Sequence, residues 1–247
     1  MKPQELRIRN LIIDKLRPDR GPVEVFRLTS GSMYSITYHY GKAFEETYQN
    51  YLAQLAGIDF PSKAEMLGIG QKDGEALIPL LGTIYQVSPK GVFDPLGKEP
   101  THAVRVVLCR YLLLSPVTNP IGEEWVSYKD FKDAAPFVGG FGNNTEKALV
   151  KNFSNRLYDL KEACQNLEGR PIDLELSYQI AFRFDVLPKI PILLLFNDED
   201  EEFPAQGSLL FQKKASAFLD MECLAILGWF LIDALIQATG RSMTTIM

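Results

Sequence analysis

Asp198, Glu199, Asp200, Glu201 and Glu202 form the densest group of ionisable side chains in the 247-residue chain. If that stretch runs extended, Asp198, Asp200 and Glu202 share one side, and Glu199 and Glu201 share the other. Three carboxylates on one side suit a hard divalent cation such as Mg²⁺ or Ca²⁺, which takes oxygen ligands. An EF-hand is excluded, because its sixth position would be Phe203 where glycine is needed and its twelfth Leu209 where glutamate is needed. The plainer alternative is a solvated loop whose charges keep the end of a buried strand in water. A hybrid of the two has Asp200 and Glu202 accept hydrogen bonds from backbone amides or from Arg183, which fixes the loop.

Other candidates are sparser. Gly139-Gly140-Phe141-Gly142-Asn143-Asn144 stands before an expected helix at about 145–167, with Asn143 and Glu146 spaced as a capping box. The amides of Gly140 and Gly142 could hold a phosphate or carboxylate at the positive end of that helix. The segment lacks the GK[ST] of a P-loop and the preceding strand of a dinucleotide fingerprint, so a flexible connector is the competing reading. His39 and His102 are the only histidines, and either could ligate a metal or an iron-centred tetrapyrrole, or be structural. No GxSxG elbow occurs, which leaves a Ser-His-Asp hydrolase without support. Cys109, Cys164 and Cys223 are scattered and odd in number, which excludes a disulfide framework and a self-contained iron–sulfur or zinc-ribbon site. A reducing cytoplasm fits that usage.

The elements that must position these residues can be read from periodicity. Leu187-Pro188-Lys189-Ile190-Pro191 enters extended, because proline fixes φ and bars helix. Ile192 to Phe196 is an unbroken apolar run of strand length, the pattern of a strand buried on both faces. Phe203 and Pro204 behind the acids are expected to dock into the core and hold the loop. Residues 172–186 alternate apolar and polar throughout, which predicts one long antiparallel strand with Phe182 and Phe184 buried and Arg183 on the opposite face. Shorter strands are expected at 75–81 and 83–88, a helix at 101–114, an extended piece at 125–131 and a last helix at 215–238.

Upstream, a helix over 4–16, a hairpin of strands 23–28 and 33–40, and a helix over 42–56 suggest an N-terminal portion, residues 1–60, beside a main domain, residues 61–247. The fold class implied is α+β, a mostly antiparallel sheet with helices packed on it. With 46% hydrophobic and 23% charged residues the chain reads as soluble and globular. A net charge of −5 gives no electrostatic footprint for nucleic acid. The opening MKPQELRIRN lacks the apolar core of a signal peptide. Glu222 and Asp233 leave ten uncharged residues between them, too few to span a bilayer, so the C-terminal apolar stretch reads as a buried helix without membrane insertion.

The segments LPKIPILLLF, DEEFPA, SLLF and FLDMECLAILG, with LLGTIYQVSPKG, LCRYLL and GEEWVSYKDF upstream, resemble a domain-of-unknown-function family of anaerobic bacteria and archaea. The resemblance spans about Leu67 to Leu235. Some members of that family are fused to a cysteine-rich module like that of corrinoid iron–sulfur proteins, and this chain has no clustered cysteines of that kind. The resemblance implies a soluble accessory or binding domain that handles a redox cofactor, or a partner protein carrying one, with corrinoid, haem or iron–sulfur groups foremost. Two other readings stand beside it. One is a metal-dependent enzyme using Asp198, Asp200 and Glu202, and the other is a structural subunit of a larger complex.

Overall fold

In a computed structural model the chain is described over residues 23–29, 32–38, 40–173 and 178–240, with side chains from residue 45 onward. The expected helix at 4–16 and His39 lie outside the described residues. A hairpin of β1 (Val23–Thr29) and β2 (Ser32–Tyr38) precedes α1 (Tyr40–Leu55) and α2 (Phe60–Leu67). Next come β3 (Gly70–Lys72), β4 (Glu75–Leu80), β5 (Thr83–Ser88) and β6 (Gly91–Phe93), paired in that order as an antiparallel sheet. Helix α3 (His102–Leu113) leads to β7 (Trp125–Ser127) and a 3-10 turn at Tyr128–Asp130. Three short helices follow: α4 (Val138–Asn144), α5 (Glu146–Phe153) and α6 (Leu157–Asn166). The chain then forms β8 (Arg170–Pro171), β9 (Ile180–Leu187), β10 (Ile190–Asn197) and β11 (Gln206–Gln212), and closes with α7 (Met221–Ala238). A second antiparallel sheet runs β7-β11-β10-β9-β8, so the fold is α+β.

Strand β10 lies at the middle of that sheet and every residue from Ile190 to Phe196 is buried. Its two faces differ in what they meet. Ile192, Leu194 and Phe196 join Phe182, Phe184, Leu209 and Phe211 in the main hydrophobic core. Leu193 and Leu195, on the opposite face, are only 1% and 4% exposed. Pro191 is tolerated inside a central strand because the pairing with β9 shifts register between Ile190 and Pro191, the irregularity at which a missing N–H does least harm. Arg183 stands opposite Leu193 while Phe182 stands opposite Leu194, so the expected split of faces in β9 is present.

Three expectations about element length are corrected. Residues 172–186 do not form one long strand. The chain doubles back instead, with Arg170 opposite Arg183 and Pro171 opposite Phe182, and the Ile172 amide donates to the Ala181 carbonyl at 3.0 Å. The reason is that the ladder between β9 and β10 ends where Phe196 meets Ile180; just before it the Gln179 amide donates to the Asn197 side chain instead of to a strand carbonyl.

The expected helix at 145–167 is two helices, broken at Ser154-Asn155, where Asn155 takes a left-handed φ of 59°. The glycine-rich segment before it is the helix α4, held by packing that its own propensity would not supply. Phe141 stacks on Tyr128 with ring centroids 4.2 Å apart, and it fits because Gly228 of α7 has no side chain: a Cβ there would lie 2.7 Å from the Phe141 ring. Thr145, not Asn143, stands before α5, and its hydroxyl donates to the Phe141 carbonyl at 2.6 Å without capping.

The last helix starts at Met221, after a 3-10 turn at Lys213–Ala217, because Asp220 caps it. One Asp220 oxygen accepts from the Cys223 amide at 2.9 Å. The other accepts from Arg110 Nε at 3.0 Å and Nη2 at 2.7 Å, and the Arg110 guanidinium lies 5.7 Å from the centre of the Tyr51 ring. One carboxylate thus ties α7 to α3, and through Arg110 to α1.

Tyr48, Leu52 and Leu55 of α1 are buried in the same core as residues beyond 60, and the Tyr48 hydroxyl accepts from the Val92 amide at 3.0 Å. Among the described residues α7 is the helix long and apolar enough to cross a membrane by composition, with 18 residues and a mean hydropathy of 1.6; half of it is buried within the fold. It packs against α3, α4, α5 and α6.

Leu194→Ala removes a fully buried side chain from the centre of the sheet. Denaturant unfolding should show a loss of about 2–5 kcal/mol, and a loss under about 1 kcal/mol would remove β10 from the core.

Candidate functional site

Where β10 ends, two amide side chains close the sheet. The Gln179 backbone amide donates to Asn197 Oδ1 at 2.9 Å, and the Asp198 amide donates to Gln179 Oε1 at 2.6 Å. This reciprocal pair satisfies backbone groups that would otherwise lack partners at the end of the ladder. The acidic run therefore begins from a fixed point.

The run is not extended. Asp198 Oδ1 accepts from the Asn155 amide at 2.8 Å and from the Glu199 amide at 3.0 Å. Glu199 Oε1 accepts from the Asn155 side-chain amide at 2.6 Å. Asp200 Oδ1 accepts from the amides of Glu202 and Phe203, both at 2.8 Å, and the Asp200 amide donates to the Phe203 carbonyl at 2.9 Å. Three of the acids are thus engaged by N–H donors, and the turn closes on itself. The two amides at Asp200 hold its carboxyl below the usual range, although it is exposed.

The left-handed conformation of Asn155 at the break between α5 and α6 is what aims both of its N–H donors at the loop. Asn155 and Gln179 were not legible as loop anchors, since they lie 43 and 19 residues from Asp198 in sequence.

Phe203 does not dock into the core; it is 61% exposed at the tip of the loop, and Pro204 is exposed beside it. The Asp200 turn satisfies its backbone locally and needs no apolar anchor. The sheet end below is also already filled, because Leu149 packs so closely on Gly207 that a Cβ there would lie 2.7 Å from it. Arg183 does not hold the loop either, since it pairs with Asp185 at 3.1 Å. Among the described residues no group of three or more His, Cys, Asp or Glu side chains is placed to hold a metal ion, so Asp198, Asp200 and Glu202 are not gathered into one oxygen cage.

The remaining candidates are dispersed. His102 is the first residue of α3. Gly140 and Gly142 lie within the seven-residue α4, not in a loop leading into a helix. All three cysteines are buried. Burial pushes the thiols of Cys109 and Cys164 up to about 12, and burial together with the nearby Asp220 raises Cys223 as well. Thiols in such surroundings stay protonated at neutral pH and are poor nucleophiles and poor ligands.

What the described geometry presents is a pre-shaped acidic loop with an aromatic tip. Residues 59–234 match a family described as a domain of unknown function, DUF3786. The chain belongs to that family. The matched region runs from the cap of α2 into α7 and so includes the second sheet, the acidic loop and its Asn155 anchor. No curated protein and no solved structure matches the chain.

A carboxyl lowered by folding contributes stability above its unfolded value, near 3.9 for aspartate, and loses that contribution as pH falls through the folded value. Following side-chain carboxyl carbons by NMR through an acid titration should place the Asp200 midpoint below that reference. A midpoint at or above it would mean that the two amides do not point at Asp200 in solution.

Proposed function

We propose that this chain is a non-catalytic accessory domain that docks a partner protein through its acidic loop. The observation that carries the reading is the state of residues 198–203. Their backbone is set by Asn155, Gln179 and the Asp200 turn, while Glu199, Asp200, Glu201, Glu202 and Phe203 remain exposed to solvent. A loop already in its bound shape loses little conformational freedom on association. Clustered carboxylates steer a positively charged surface toward it and set its orientation, and an exposed aromatic supplies a compact apolar contact.

The partner's chemistry follows from the family resemblance and from the cysteines. A redox partner carrying a corrinoid, haem or iron–sulfur group fits, with the cofactor held on the partner's side, because the thiols of this chain are buried and raised. In this arrangement the domain positions or accompanies the cofactor-bearing protein and performs no bond chemistry itself.

Exchanging charge for amide at Asp200→Asn with Glu202→Gln keeps the side-chain shapes and removes two charges. The double variant should fold normally and bind the co-purifying partner at least about tenfold more weakly at low salt, the difference shrinking as salt rises. Unchanged affinity in a folded variant would remove the loop from the interface. Visible spectra and metal content of protein from anaerobically grown cells separate the readings further. Absorbance bands are expected in the complex with the partner and not in the isolated chain. Stoichiometric Mg²⁺, Mn²⁺ or Ca²⁺ on the isolated chain would instead support a metal-dependent enzyme at Asp198, Asp200 and Glu202.

A further inference from the structure

We draw no further inference here: the strongest candidate, the partly exposed stripe of Ile226, Trp229 and Phe230 along the outer face of α7, carries nothing, because nothing in the structure shows what covers it.

Discussion

The burial of β10 on both faces is the constraint on which the rest of the structure depends. A strand with no water on either side must find every backbone partner in its neighbours, and β9 and β11 supply them along nearly its whole length. The same constraint decides where the strand ends. Once the flanking ladders run out at Asn197, the chain has to leave the dry interior, and side-chain amides from Asn197 and Gln179 take over the unpaired backbone groups. Placing acids immediately beyond that point ensures that the chain emerges into solvent and does not continue as strand. The candidate site is therefore a consequence of how the core terminates.

The helices impose a matching order on the layer above the sheet. Asp220 caps α7 and binds Arg110 of α3 through two guanidinium nitrogens, while Arg110 lies over Tyr51 of α1. A side-chain cap of this kind contributes about 0.5–2 kcal/mol to a helix, and here the same carboxylate also fixes where the helix begins. Glycines do the complementary work at contacts where no side chain fits. Gly228 admits Phe141, Gly207 admits Leu149, and Gly169 lies against the Phe184 ring. These contacts set α4 against α7 and α5 onto the sheet, and bring the break between α5 and α6, with Asn155, up to the acidic loop.

How far the sequence was legible follows from the range of each interaction. The apolar run of β10, the alternation of 180–186 and the helical spacing of α3 and α7 are local patterns driven by burial, and each yields the right element. The alternation over 172–186 is one local pattern, but the ladder between β9 and β10 ends at Ile180, so periodicity alone overextended β9. The glycine-rich segment read as connector because propensity is local, whereas its helix depends on Gly228 almost ninety residues away. The acidic loop was found by composition, yet its conformation comes from Asn155 and Gln179, which no spacing rule links to it. Phe203 was expected inside because apolar residues near a core are usually buried, and a turn satisfied by Asp200 removed the need.

The central claim is that the acidic loop is set in one shape before any partner arrives, and amide hydrogen exchange on the isolated chain at neutral pH tests it most directly. The account predicts that the amides of Asn155, Asp198, Glu199, Glu202 and Phe203, each donating to a side-chain oxygen of Gln179, Asp198 or Asp200, exchange more slowly than those of an unstructured chain. Exchange of all five at the unprotected rate would contradict it.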